Sequence, residues 1–481
     1  MIRGPYVVAG ALCGGLACSL LLRAALLPAV ALVVAVLVLR PPLALAALLA
    51  VAGWCWGSER LQALDRSVLT PRIGTAERAL VETLEPARTT RYAVRARARV
   101  LRWGPVLRPG EPVLLELPLG RAPPQGSRLQ VLGTLRPPSD GERGWLRLHG
   151  VHVVLRAGGA RVVGRRGSVA DRLHAWLARA SVPGLAGERR AVLEGVVLGE
   201  DQGLSQELRD RFRASGLYHL LAVSGGNVIV VAGGASLVAL ALGAGRLLAE
   251  SAALLAIVAY VLAVGPQPSV IRAGIAGALG CLAWLTGRER DRVHALLVGA
   301  VALLGWNPLD LLDPGFQLSF AAVGAIFVLA PRLDARLEGY PLPQRAREAT
   351  ALSCACGVCT APISWAHFHQ IPLLTVPANV AAAPVVAPML ALSLVAALLP
   401  PLGPALAQAN GLLAAYLAAC ARFFGGLPGA QVRSAAGAAA LGAGVLLAAA
   451  YAWRSGERAE AGLPAHGNRP AEDRARGAPA A

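Results

Sequence analysis

The chain has 481 residues and not one lysine; all 46 of its basic residues are arginine. A nucleotide-binding loop of the G-x-x-x-x-G-K-[ST] type is therefore excluded, because its lysine is what reaches the phosphates. Charge is scarce as well. Asp, Glu and Arg make up 15% of the chain, against roughly 25% in an average soluble protein, which argues against an ordinary soluble enzyme. Eight cysteines in this length are too few for a small disulfide-stapled scaffold. Heavy use of Ala, Arg, Gly and Pro points to a GC-rich genome, so the missing lysine reads as codon bias.

What is present is apolar. Hydrophobic residues make up 55% of the chain and the mean hydropathy is +0.54, so disorder is excluded over most of the length. Many windows reach the ~20 apolar residues that a membrane-spanning helix needs. Apolar stretches follow one another from Tyr6 to Gly57 without a cleavage site, so the N-terminus reads as anchored rather than as a cleaved signal. The expected fold is a polytopic α-helical membrane protein with an inserted small β-barrel, OB-like soluble domain.

Five regions are expected. Residues 1–57 hold apolar segments near 5–22, 24–39 and 41–57. Residues 58–168 form the β domain and 169–215 an amphipathic helical linker. Residues 216–453 return to apolar segments, near 217–243, 247–264, 269–287, 293–305, 316–331, 349–366, 372–399, 404–424 and 434–453. The 293–305 piece is too short for a full span. The tail, 454–481, is rich in Ala, Gly, Pro and charge and reads as disordered.

The β domain announces itself by alternation. From Arg91 to Val100 the period is two, the signature of a strand. Tyr92, Val94, Ala96, Ala98 and Val100 share one face, and Arg91, Arg95, Arg97 and Arg99 the other. Further strands are expected at 112–117, 128–135, 145–155 and 161–163, separated by Pro- and Gly-rich turns. Five short strands in about 80 residues suit a small barrel. Between 58 and 216 there are 27 Arg against 16 Asp plus Glu, so most of the excess in the net charge of +18 lies here. Such a surface favours anionic partners, either lipid headgroups or nucleic acid.

Arginine in short loops sets orientation. With the N-terminus inside and three early spans, the β domain falls outside, while 288–292, 332–347 and the C-terminus fall inside. Those two loops are the most Arg-rich of the short ones, so the count is self-consistent.

Four blocks in the second apolar region are too polar for lipid. The first holds His219, Ser224, Gly225, Gly226 and Asn227. A broken helix there is tolerated only inside protein or beside water, although small residues also serve tight helix packing. The second places Arg272 in an apolar segment, where a buried arginine costs about 2.5–3.5 kcal/mol unless it snorkels to an interface. The third carries Asp310 and Asp313 before Gln317 and Ser319; either Asp is a candidate partner for Arg272, or the loop is simply solvated. The fourth runs from Pro362 through His367 and His369 to Asn379 and is broken by repeated prolines, as in transport pathways.

At these residues the chain resembles the competence membrane-channel family, the ComEC/Rec2 proteins. The shared blocks are Ser-Gly-Leu-x-His-Leu-Leu-Ala-Val-Ser-Gly at 215–225, Pro-Ser-x-x-Arg-Ala at 268–273, Asn-Pro at 307–308, Gly-Phe-Gln-Leu-Ser-Phe at 315–320, and the Pro-rich segment ending at Asn379. The resemblance covers about 212–390 and extends to the layout of N-terminal helices, external OB-like domain and channel domain. This chain has Asn227 where many members have His. It also lacks the His-x-His-x-Asp-His run of the metallo-β-lactamase-like domain that larger members append, and it is expected to stop before one, so nuclease activity is not carried over.

The resemblance implies an inner-membrane channel that passes single-stranded DNA into the bacterial cytoplasm during natural transformation, and not an enzyme. Arg91, Arg95, Arg97 and Arg99 would contact phosphates outside, with Tyr92 and Trp103 as stacking surfaces. His219, Ser224–Asn227, Arg272, Asp310, Asp313, Gln317, Ser319, His367 and Asn379 would line or gate the passage. Implied partners are the lipid bilayer, a cytosolic helicase or single-strand-binding proteins, a separate nuclease and an external DNA receptor. No cofactor is expected. Cys354, Cys356 and Cys359 lack a clear fourth ligand and read as small hydrophobes rather than a metal site. Two other readings stay open: a small-solute or ion transporter, and an intramembrane serine protease pairing Ser224 with His367 or His369.

Overall fold

The computed structural model describes residues 4–22, 41–105, 107–120, 122–265, 267–287, 291–341 and 343–445. The 24–39 segment and the 454–481 tail lie outside them, as does the end of the 434–453 segment. In chain order the helices are α1 (Gly4–Leu21), α2 (Pro41–Asp65), α3 (Asp140–Leu148), α4 (Val169–Ser181), α5 (Gly187–Leu198), α6 (Gln206–Ala214), α7 (Gly225–Ala241) and α8 (Arg246–Val264). They continue with α9 (Pro268–Leu285), α10 (Arg292–Trp306), α11 (Pro314–Val328), α12 (Ala330–Leu337), α13 (Gln344–Phe368), α14 (Thr375–Leu398) and α15 (Gly403–Gly426).

Among the described residues, five helical segments are long and apolar enough to cross a membrane: Leu217–Ala241, Arg246–Val264, Gln344–Phe368, Thr375–Leu398 and Pro400–Gly426. A sixth is added if α11 and α12, bent by 45° at their junction, count as one span. Helix α10, at 15 residues, is short, as its sequence implies. The chain is thus a polytopic helical membrane protein.

The β domain lies between α2 and α4. Its strands are β1 (Ala76–Thr83), β2 (Arg88–Thr89), β3 (Val94–Trp103), β4 (Pro112–Leu117), β5 (Ser127–Arg136) and β6 (Val154–Arg165). The sheet order β1-β5-β6-β4-β3 closes through a β1–β3 pairing into a five-stranded barrel. All its ladders are antiparallel except β4–β6. Inward residues alternate along each strand as the pleat demands: Val94, Ala96, Ala98 and Val100 are buried with Val113, Leu115, Leu129, Val131 and Leu155.

Four details differ from the sequence reading. The 145–155 strand is instead the end of α3, a turn at Gly150 (φ +67°) and only the start of β6. Period two and period 3.6 are hard to tell apart over so few residues. Strand β1, with its charged first residues exposed, carries too little alternation to be seen. Tyr92 is not on the core face: it is 80% exposed, with the Arg91 guanidinium over its ring. Trp103, expected as a stacking surface, is buried in the barrel.

Barrel and bundle are firmly joined. Helices α1 and α2 cross closely enough that a Cβ on Gly53 would lie 2.6 Å from the Leu12 carbonyl, the small-residue packing of membrane helices. Leu16 of α1 packs with Leu303 and Leu304 of α10 and with Phe316 of α11. The α2 end then reaches the barrel, where the Leu64 carbonyl meets His152 Nε2 at 2.6 Å and Asp65 pairs with Arg147 at 3.1 Å. Amphipathic α5 and α6 are no loose linker. Their Leu193, Val197, Leu208 and Phe212 share one core with Val228, Ile257, Met389 and Leu417 of the long apolar helices.

Candidate polar path and the walls of the barrel

The first polar block is a helix break with a buried interior. Gly216 takes φ +77°, and a side chain there would collide with Thr375. A short 3-10 turn, Leu217–Leu220, follows, and α7 starts one residue after Ser224. His219 is exposed, and its Nδ1 lies 2.8 Å from the Gly216 carbonyl. Gly225 and Gly226 open α7 without tight contacts.

Asn227 is 4% exposed. Its amide donates to the Val196 carbonyl at 2.8 Å and to the Tyr260 hydroxyl at 3.4 Å. Tyr260 in turn donates to the Val197 carbonyl at 2.8 Å. Both carbonyls belong to the last turn of α5, where helix carbonyls lack an intrahelical donor. Asn227 and Tyr260 therefore cap α5 from the side. Tyr260 was not legible in the sequence, because an apolar helix carrying one tyrosine gives no signal.

The second block meets the first. Ser269 donates to the Val223 carbonyl at 2.9 Å, and Ala273 lies against Gly225. Arg272 Nε donates to Ser319 Oγ at 2.8 Å, its guanidinium is 6.0 Å from the Phe320 ring centroid, and its stem lies along Gly299. The expected pairing of Arg272 with Asp310 or Asp313 is not formed. Asp313 caps α11, accepting from the Gly315 and Phe316 amides at 2.8 and 3.1 Å, as an N-cap aspartate does. Asp310 accepts from Asn307 Nδ2 at 2.7 Å. Asn307 also donates to the Leu148 carbonyl of α3, so this turn is part of the barrel contact. Burial, reinforced by the neighbouring Asp313 charge, pushes the Asp310 carboxyl up to about 7.

The third and fourth blocks also interlock. Gln317 accepts from His367 Nε2 at 2.9 Å while donating to the Leu311 carbonyl at 2.8 Å. Asn379 Nδ2 lies 3.4 Å from Ser353 Oγ, and its Oδ1 is buried with no partner among the described residues. Polar side chains on α9, α11, α13 and α14 thus pair across a bundle that is otherwise apolar. Ser224 takes no part with a histidine. Its hydroxyl faces Asn227 Oδ1 at 3.3 Å, and His367 is held by Gln317, so the Ser–His pair a serine protease needs is not assembled. Among the described residues no group of three His, Cys, Asp or Glu side chains is placed to hold a metal ion.

On the barrel, the middle of the arginine stripe is ion-paired and its two ends are exposed. Arg95 pairs with Glu116 at 2.5 Å and with Glu142. Arg97 pairs with Glu85 at 2.7 Å. Arg99 is exposed and has no such partner among the described residues. Partial burial works against ionisation of Glu142, yet the Ser139 hydroxyl and Arg95 hold its carboxyl below the usual range. A hub that the sequence did not suggest is Asp201, in the turn between α5 and α6. It binds Arg209 at 3.0 Å, Arg88 of β2 at 2.6 Å and the Tyr218 hydroxyl at 2.8 Å. One carboxylate thereby joins barrel, amphipathic helix and the first polar block. The only sequence signal for it is an acidic pair, Glu200-Asp201, in a turn between two amphipathic helices.

These features define a class: a multi-pass membrane protein whose bundle is cross-linked by polar pairs and carries an OB-like barrel. Residues 196–458 match the family model described as Competence protein, and the chain belongs to that family. It is also similar to ComE operon protein 3 of Bacillus subtilis (strain 168), at 28% identity over 193 residues. That alignment covers 40% of this chain and 24% of the relative, so the chain matches about a quarter of the relative's length. No solved structure matches.

Proposed function

We propose that this protein passes single-stranded DNA through the bacterial cytoplasmic membrane during natural transformation. The observation that carries the reading is Arg272. It is a cation within an apolar helix, it faces a serine and an aromatic ring, and it has no carboxylate partner among the described residues. A buried arginine without an acid is costly, and a passing phosphate would supply the missing anion. The broken helix at 216–224, the Gln317–His367 pair and the unpartnered oxygen of Asn379 give the path further polar groups. Such irregular, polar elements are tolerated at membrane depth where they line a cavity.

Orientation with the barrel outside is supported by the helix ends. The 307–313 turn contacts α3 of the barrel, while Arg292 opens α10 at its other end. Arg332, Arg336, Arg345 and Arg347 likewise follow α11 at the end remote from that turn. Arginine enrichment at the far ends fits a cytoplasmic face.

The test is DNA uptake in a transformable host that lacks the gene, with and without re-expression. Labelled DNA is scored in two pools, bound outside and DNase-protected inside. Loss of the inner pool alone, restored by the gene, is the expected result. An unchanged inner pool would replace this reading with that of a small-solute transporter, which the same polar bundle could serve.

A further inference from the structure

If DNA enters here, the barrel should offer it free cations. In the wall formed by β3 and β4, the one oligonucleotide-binding barrels use, the central arginines are held by the protein itself, while Arg91 and Arg99 at its ends are exposed. Helix α3 lies over it: Leu146 packs on Leu114 and Val154, and Glu142 and Glu116 hold Arg95 while Glu85 holds Arg97.

The wall formed by β1, β5 and β6 is different. On β5 the buried Leu129, Val131 and Leu135 alternate with outward Gln130, Leu132 and Thr134. Register then fixes the neighbours. Arg78 of β1 stands opposite Leu132, and Arg161 and Arg156 of β6 stand opposite Gln130 and Thr134. All three arginines are exposed, and none has an ion-pair or hydrogen-bonded side-chain partner among the described residues. Two carboxylates border the patch: Glu82, 4% exposed, is held by Arg128 at 3.1 Å and Arg166 at 3.3 Å, and Glu116 of β4, in register with Arg156, is held by Arg95 at 2.5 Å. Alternate residues of a strand are about 7 Å apart and neighbouring strands about 4.8 Å, so the three stems rise from a patch roughly 14 Å long. Leu132 at its centre is 63% exposed. Gly158 and Gly159 beside it have nothing within 4 Å of where a side chain would begin, so a ligand can approach the backbone.

We propose that single-stranded DNA docks on the β1–β5–β6 wall through Arg78, Arg156 and Arg161, and that Arg95 and Arg97 of the β3–β4 stripe form a structural seam. The inference rests on the DNA-passage reading above. Free guanidinium groups suit phosphodiesters, and Gln130 and Thr134 between them offer amide and hydroxyl groups to base edges. The wall carries no Trp or Tyr, the residues that mark a headgroup-level surface, so a nucleic-acid strand fits it better than a lipid surface. With Leu132 in place of aromatic stacking partners, binding should be charge-driven and indifferent to sequence.

The experiment measures binding of labelled oligo-dT to the full chain in nanodiscs of neutral lipid, across a salt series. Three proteins are compared: wild type, R78Q/R156Q/R161Q and R95Q/R97Q. Each phosphate contact contributes about 0.7 to the single-strand salt slope, so the wall variant should lose about 2 from that slope and bind at least about tenfold more weakly. R95Q/R97Q should keep the wild-type slope. The thermal midpoint of each variant reports whether it is folded, and single substitutions replace any triple variant that is not. Equal slopes for wild type and wall variant, or no oligonucleotide binding by the wild type, would overturn the proposal. So would an unchanged slope with lost capture by added phosphatidylglycerol vesicles, which would make the wall a lipid surface. If the gene restores uptake while the wall variant binds normally, this assignment fails and the passage reading stands. If the gene does not restore uptake, the passage reading fails whatever the wall binds.

Discussion

Asn227, near the start of membrane helix α7, donates its side-chain amide to the Val196 carbonyl in the last turn of amphipathic helix α5, at 2.8 Å. The polar block that stands out in the sequence is thus, at this residue, a joint between two helices. Asn227→Ala leaves a buried carbonyl unpaired, which costs about 1–3 kcal/mol. Thermal unfolding of the purified chain in detergent should show a lower midpoint. An unchanged midpoint would remove the capping role.

Ser224→Ala should behave differently. Its hydroxyl makes one long contact, to Asn227 at 3.3 Å, so the stability change should stay within about 0.5 kcal/mol and DNA uptake should be undiminished. Loss of uptake at normal expression would bring back a nucleophilic role for this serine.

Arg272→Gln should abolish the DNase-protected pool while leaving externally bound DNA and membrane insertion intact. Ser319→Ala, which removes the 2.8 Å partner of Arg272 but keeps the cation, should reduce the pool less than Arg272→Gln does, by at most the roughly 10- to 150-fold that corresponds to about 1.5–3 kcal/mol for a hydrogen bond to a charged group. Equal inner pools for Arg272→Gln and wild type would remove Arg272 from the path.

Asp201→Asn should be among the most damaging single changes in the polar regions. Arg209, with 9% of its side chain exposed, would lose its acid, and breaking a buried pair from one side costs about 3–5 kcal/mol. Arg88→Gln, at the exposed end of the same hub, should cost about 1 kcal/mol or less. Similar thermal midpoints for the two variants would contradict a buried hub.

Asp310 should make the contact between barrel and bundle pH-dependent. Its carboxyl is raised to about 7 by burial and by Asp313, so the folded state favours the protonated form. The stabilisation is complete below the unfolded value of about 3.9 and is lost as pH rises through 7. Asp310→Asn should therefore raise the thermal midpoint relative to wild type at pH 8 and much less at pH 5. A difference that does not change with pH would show that this carboxyl is not held up.

The membrane class, the five long apolar segments of the second region and the barrel were legible in the sequence because each rests on composition or on a short period. Apolar length gives spans, and alternation at 94–100 gives a strand whose even-numbered residues are buried. Four polar blocks marked the residues that later meet. Partners were not legible, because contacts such as Arg272 with Ser319 or Asn227 with Val196 join residues 47 and 31 positions apart and depend on how helices cross.

The sequence by itself determined that this chain lives in a membrane, carries a basic β domain and places polar groups where lipid forbids them, since hydrophobic transfer and backbone periodicity act locally. Tertiary structure alone decided which charges remain free. Arg95 and Arg97 look available along the chain but are held by Glu116, Glu142 and Glu85. Arg78, Arg156 and Arg161, which no local pattern singles out, are left exposed together. Strand register and the seat of α3 set that difference, because an ion pair depends on distance in space and not on order along the chain.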